Sequence, residues 1–108
     1  MPDNSVNTSI CSPPYFHLRF YNVIHIWDGD PNCNHKWGEK IISKQSGGKG
    51  HKQDTSEGSW YENSSCFCEK CGSWEGELGQ EPTYLLYIDH LVQIFREVRR
   101  VLKPEGTL

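Results

Sequence analysis

From Ser43 to Ser65 the chain offers almost no apolar side chain beyond Trp60 and Tyr61. A stretch of that composition cannot remove enough surface from water to offset its own conformational entropy, so any fold has to be built from what flanks it. Asp30-Pro31-Asn32-Cys33-Asn34-His35 lies before the polar stretch and Cys66-Phe67-Cys68-Glu69-Lys70-Cys71-Gly72 after it. If both brackets grip one ion, they close the segment at its base. The interior then becomes a tolerated loop, because closure cost grows only slowly with length.

The brackets have the chemistry to do this. Cys33 and His35 form a C-x-H pair and Cys68 and Cys71 a C-x-x-C pair, together four soft or borderline ligands suited to tetrahedral Zn2+. Four protein ligands leave no open coordination position, so the site reads as structural and not catalytic. Cys66 is a possible substitute ligand, although Cys66-x-Cys68 presents two thiolates to one ion less naturally than C-x-x-C does. The plainer reading is free thiols with an incidental His35. Gly72 after the knuckle, and Trp37 and Trp74 beside the ligands, favour a metal site as punctuation and cover. The five cysteines are an odd number, and Cys66, Cys68 and Cys71 are too crowded for an ordinary disulfide framework. In a reducing cytosol such clustering points to metal first.

Outside this insert, which the composition bounds at about residues 27–79, the chain reads as alternating strand and helix. Ser5-Val6-Asn7-Thr8-Ser9-Ile10-Cys11 is β-prone and runs into Ser12-Pro13-Pro14-Tyr15, where two prolines forbid a continuing ladder. Phe16 to Ile26 suits a short helix or a turn. Thr83 can cap a helix whose apolar positions Tyr87, Leu91, Ile94, Phe95, Val98, Val101 and Leu102 recur at three-and-four spacing. Lys103-Pro104-Glu105-Gly106 stops that helix, and Thr107-Leu108 look like the first residues of a strand whose continuation is expected beyond Leu108. Strand, loop, helix and strand make an α/β rhythm with parallel strands.

Ser12-Pro13-Pro14-Tyr15 carries the second piece of chemistry. Paired prolines fix the backbone so that the carbonyls just before them project one way without competing N–H groups, and an aromatic ring follows as a flat stacking surface. That arrangement suits an amino group on a planar ring. Taken alone, the tetrapeptide is better explained as a proline turn closed by a buried tyrosine.

Its surroundings point further. Pro2-Asp3-Asn4-Ser5-Val6 and Cys11-Ser12-Pro13-Pro14-Tyr15-Phe16 resemble the start of the amino-group DNA methyltransferases, which modify cytosine N4 or adenine N6 and carry (D/N/S)-P-P-(Y/F/W) at the end of a strand. The similarity continues in family order through Cys33-Asn34-His35, Cys68-Glu69-Lys70-Cys71, Leu78-Gly79-Gln80-Glu81-Pro82-Thr83 and Arg99-Arg100-Val101-Leu102, covering nearly the whole chain. The resemblance implies that residues 1–108 are the N-terminal part of a methylase domain, a partial Rossmann-like methyltransferase fold with an inserted zinc knuckle. It implies methyl transfer from S-adenosylmethionine to the exocyclic amine of a base flipped from double-stranded DNA, in a restriction–modification setting. The serine form of the motif favours cytosine N4 over adenine N6. Ser12 and the Pro13 carbonyl would accept hydrogen bonds from the amine while Tyr15 stacks on the ring, with Pro14 fixing the loop. Catalysis would then come mainly from orientation, with no covalent intermediate.

The chain departs from the family in one respect: no F-x-G-x-G cofactor loop is present. Ser46-Gly47-Gly48-Lys49-Gly50 is glycine-rich but lacks a preceding strand and a following helix. S-adenosylmethionine binding is therefore expected of a C-terminal part of the same enzyme, and residues 1–108 alone are expected to be inactive. Two rival readings remain open: a small zinc-binding module contacting nucleic acid or protein, and a remnant with an interaction role only.

Charge is consistent with a local DNA contact and not with a free-standing binder. Eleven basic residues against 14 acidic ones give a net charge of −3, without the basic surplus that phosphate binding usually needs. No run approaches the roughly 20 apolar residues that span a bilayer, and no signal-like segment opens the chain, so a cytoplasmic protein is expected. Arg96, Arg99, Arg100 and Lys103 could meet phosphate, but the helix dipole is the favoured explanation for basic residues at a helix end. His17, His25, His51 and His90 read as ordinary surface or core residues.

Overall fold

The computed structural model describes residues 1–45 and 61–108. In chain order the elements are β1 (Val6–Thr8), β2 (His25–Trp27), β3 (Ile41–Gln45), β4 (Tyr61–Phe67), β5 (Trp74–Gly76), α1 (Tyr84–Val101) and β6 (Leu102–Thr107). They form two sheets, a parallel pair β1-β6 and an antiparallel sheet in the order β2-β5-β4-β3. The fold is thus mixed α/β, as the strand and helix rhythm implies.

Parallel strands need a crossover connection. Here it carries the whole insert and then α1. The helix begins where the sequence places it. Thr83 is extended (φ −135°, ψ 149°), and its Oγ1 accepts from the Leu86 N–H at 3.3 Å, which satisfies one of the orphan donors of the first turn. Arg99 and Arg100 sit in the last turn. Arg100 also bonds Asp3 and Glu97, tying the helix end to the N-terminal segment. The expected stripe is only half-buried, and Tyr84, Leu85, Ile88 and Val92 stay exposed. A two-stranded sheet covers only part of such a helix.

Two expectations need correction. The strand after α1 starts at Leu102 and not at Thr107, so the residues expected as a stop, Lys103 to Gly106, lie within β6. Pro104 biases the residue before it to extended backbone. Its missing N–H is tolerated because the register slips between Val6↔Leu102 and Thr8↔Thr107, and proline is accommodated at such irregularities. The polar middle is also more ordered at its edges than its composition suggests. β3 and β4 pair from Ile41↔Ser65 to Gln45↔Tyr61, because backbone ladders need no apolar side chains once the two strands are brought together at their base. Residues 46–60, which include the Ser46 to Gly50 stretch and His51, lie outside the described residues.

From Phe16 to Ile26 the structure has a turn at residues 16–18 and then irregular chain, with Asn22 at φ 59°, leading into β2, and no helix. Among the described residues the largest fully buried side chains are Trp74, His90, Glu81 and Ser73. The centre of the described structure is therefore a polar junction between the insert and α1, not an apolar layer beneath β1 and β6. Among the described residues, no helix is long and apolar enough to cross a membrane.

Candidate metal centre and proline loop

Cys33, His35, Cys68 and Cys71 converge, with one ligand atom from each lying within 4.8 Å of all the others. Cys33 Sγ and Cys68 Sγ are 3.9 Å apart, and His35 Nδ1 is 3.4 Å from Cys71 Sγ. Zinc–sulfur bonds of about 2.3 Å and zinc–nitrogen bonds of about 2.0–2.1 Å give tetrahedral edges of about 3.8 and 3.5 Å. Two of the six edges lie close to these values and every pair lies within 4.8 Å, so the four side chains are gathered closely enough to hold a metal ion. Cys66 stands apart from the cluster. It is buried in β4 with its Sγ 3.8 Å from Glu75 Oε1, and burial pushes its thiol up.

Local backbone geometry sets the ligands. The Cys68–Cys71 turn is closed by Gly72 N–H donating to the Cys68 carbonyl at 3.0 Å and by Cys68 N–H donating to the Ser73 carbonyl at 2.7 Å. The other bracket leaves β2 through Asp28 (φ 60°) and Gly29 (φ 70°). A Cβ at Gly29 would lie 2.0 Å from Ser73 Oγ and 3.0 Å from Cys71 Sγ, so only glycine lets the two brackets approach. The knuckles are then stitched together by Glu69 N–H to the Lys36 carbonyl at 2.8 Å and by Gly38 N–H to the Phe67 carbonyl at 2.9 Å. Trp37 stacks on His35 with ring centroids 4.7 Å apart.

Protonation follows from these contacts. The Ser73 hydroxyl, then the backbone N–H groups of Asp30 and Ser73, hold Cys71 down at about 5. Burial pushes Cys68 up, but the N–H groups of Cys71 and Lys70 and the His35 ring outweigh it and leave the thiol at about 7. Burial, then the hydrogen bonds that the Cys33 S–H donates to the Cys71 and Cys68 sulfurs, push Cys33 up to about 11. The Cys68 hydrogen bond raises His35 despite its own desolvation. A cation would remove the cost of gathering these thiolates in one place.

The proline loop leaves β1 on the other side of the junction. Ser12 is exposed, Pro13 and Pro14 are half-buried, and Tyr15 is 64% exposed, not buried as a closing turn residue would be. The Tyr87 hydroxyl of α1 donates to the Pro14 carbonyl at 2.5 Å. His17 N–H donates to the Gly79 carbonyl at 2.7 Å. Gly79 (φ 92°) approaches so closely that a Cβ there would lie 3.2 Å from both Pro14 Cβ and the Tyr15 carbonyl. Ser12, Pro13, Tyr15, Leu18, Arg19 and Tyr21 line a cavity of about 210 Å³. A larger, more apolar hollow of about 390 Å³ lies behind Pro14 against Tyr21, His25, Trp27 and Ile94.

Between loop and metal cluster sits His90, an ordinary surface or core residue by sequence alone, with a group of polar and aromatic partners. His90 is fully buried, with Nδ1 2.9 Å from Glu81 Oε1 and Nε2 3.0 Å from Asp28 Oδ2. Trp27 and Trp74 stack on its ring at centroid distances of 4.6 and 5.4 Å. Gln93 donates to Asp28 Oδ1 at 2.6 Å. Spacing held a clue: His90 follows Tyr87 by three residues and precedes Ile94 by four, which places it on the apolar face of α1. A polar residue on that face needs buried partners. No protein-family model, curated protein or solved structure matches the chain.

Proposed function

We propose that this chain carries the base-positioning loop of an amino-group DNA methyltransferase, braced by a structural zinc centre at Cys33, His35, Cys68 and Cys71. The observation that carries the reading is the placement of Ser12-Pro13-Pro14-Tyr15. The tetrapeptide follows a strand whose parallel neighbour is reached through α1, and it presents an exposed tyrosine over a cavity lined by Ser12 and Pro13. A strand, an exposed proline loop and a helix crossover to the next parallel strand form a unit of the Rossmann-like sheet implied by the resemblance, and ligands of such sheets bind beyond the carboxyl ends of the strands.

In this role Ser12 and the Pro13 carbonyl accept from the exocyclic amine of a flipped base, and Tyr15 stacks on its ring. Pro14 fixes the loop, with its own carbonyl occupied by Tyr87. S-adenosylmethionine supplies the methyl group and binds to a segment carrying the F-x-G-x-G loop that residues 1–108 lack. This chain contributes orientation, the part of the barrier lowered by holding reacting atoms in line. Cytosine N4 is the preferred acceptor and double-stranded DNA the partner.

The test is methyl transfer from S-adenosylmethionine to duplex DNA, with the chain supplied together with a segment bearing the cofactor loop and the product nucleosides identified by mass. The expected product is N4-methylcytosine. Tyr15→Ala and Pro14→Ala are each expected to lower the rate at least about 100-fold, the scale of misplacing a reacting group. Transfer unchanged in both variants would overturn the reading. Absence of transfer with zinc, cofactor and DNA all bound would favour a zinc-binding interaction module instead.

A further inference from the structure

The metal cluster and the proline loop belong to different sheets, yet an unbroken line of polar contacts joins them. Ser73 Oγ stands 3.0 Å from Cys71 Sγ and 2.9 Å from the Asp28 carbonyl, so its single proton is shared between a metal ligand and the turn that follows β2. The Asp28 carboxylate meets His90 Nε2 at 3.0 Å, and His90 Nδ1 meets Glu81 Oε1 at 2.9 Å. The other Glu81 oxygen accepts from the Gly79 N–H at 2.8 Å. Gly79 in turn receives the His17 N–H at 2.7 Å and packs against Pro14 and the Tyr15 carbonyl. His17 Nε2 returns to the Glu81 carbonyl at 2.8 Å.

We propose that His90 is a positioning residue that fastens the proline loop to the metal centre, so that metal binding at Cys33, His35, Cys68 and Cys71 orders Ser12 to Tyr15. The proposal rests on the metal reading of those four ligands and not on methyl transfer. Two features make this line more than a chain of proximities. His90, Glu81 and Ser73 are fully buried, so none can exchange its partner for water without opening the junction. Trp27 of β2 and Trp74 of β5 both stack on the imidazole, so its position depends on the β2-β5 pairing and hence on closure of the insert. The two states that the metal selects between are a closed base and an open one, because metal binding to such ligands is coupled to folding. Asp28 and Gly29, which lead from β2 to the first ligand, differ in placement between those states, and His90 carries that difference to Glu81 and Gly79.

Amide hydrogen exchange on the intact chain, with and without one equivalent of zinc, tests the proposal. Zinc stoichiometry is scored separately by competition with a chromophoric chelator. In the natural sequence, zinc is expected to slow exchange at the Gly79 and His17 amides at least about tenfold, as it does at the knuckle amides of Cys68 and Gly72. His90→Gln is expected to bind one zinc and keep the slowing at Cys68 and Gly72, while the slowing at Gly79 and His17 falls below about twofold. Should that variant fail to fold, Ser73→Ala cuts the same line nearer the metal, and the same split between knuckle and loop amides is required. Equal protection of Gly79 and His17 with and without zinc would overturn the proposal. So would full zinc-dependent protection of those amides in a variant that binds zinc. Failure to bind zinc at all would remove the metal reading itself, an outcome distinct from uncoupled binding.

Discussion

Adding a strong chelator to the zinc-loaded protein is expected to collapse the β2-β5-β4-β3 sheet, with loss of near-ultraviolet circular dichroism from the tryptophans and of cooperative thermal unfolding. Among the described residues the buried apolar side chains are Cys66, Cys68 and Trp74, and two of the remaining fully buried groups are Glu81 and His90. That small core cannot offset the entropy of ordering the insert. A structural zinc ion can contribute about 10–16 kcal/mol at neutral pH, more than the net stability of most domains. Acid should have the same effect, with a sign fixed by the ligands. Cys33, pushed up to about 11, gives up a proton to the solvent on metal binding throughout the neutral range. The zinc affinity therefore falls about tenfold for each unit of acidification. The fall steepens as pH drops through about 7, where Cys68 begins to hold a proton as well. Calorimetry in buffers of different ionisation enthalpy measures the protons released. Identical melting and tryptophan spectra with and without chelator would contradict this account.

The second large effect is at His90. Replacing it by leucine keeps the approximate volume but strands the fully buried Glu81 carboxylate and takes a partner from Asp28. Breaking a buried pair by removing one member costs about 3–5 kcal/mol, and the Gly79 N–H that remains on the other Glu81 oxygen places the expected loss toward the lower end of that range. Urea unfolding of zinc-loaded His90→Leu should therefore show a midpoint far below that of the natural sequence. Gln93→Ala removes only an exposed contact to the other Asp28 oxygen and should change stability by less than about 1 kcal/mol. A His90→Leu variant as stable as Gln93→Ala would mean that the junction is not a structural centre.

Much of this arrangement could be read from residue types and spacing. Thr83 as N-cap, the three-and-four stripe of α1 and the two ligand pairs each depend on local chemistry, and the structure places them where their spacing implies, apart from Leu102, which opens β6 instead of ending the helix. What escaped the reading depends on distant partners. β2 and β5 are three-residue strands, too short for alternation to emerge, and they exist because His25 to Trp27 pair with Trp74 to Gly76. β6 contains Pro104 and Gly106, residues that ordinarily signal the end of regular structure, and it is held as a strand by its parallel partner β1. His90 reads as an ordinary residue of α1 by sequence, because Asp28 and Glu81 reach it from opposite ends of the insert. The charge carried by a buried side chain is legible only once its partners are known.

X-ray absorption at the zinc edge addresses the metal centre most directly. The arrangement of Cys33, His35, Cys68 and Cys71 predicts one zinc per chain with three sulfur ligands at about 2.3 Å and one nitrogen at about 2.0–2.1 Å. Cys66→Ser should leave that spectrum unchanged, while Cys68→Ser should abolish it. Four sulfur ligands, or a shell completed by solvent oxygen, would contradict the centre described here and, with it, the closure of the insert on which the rest of the structure depends.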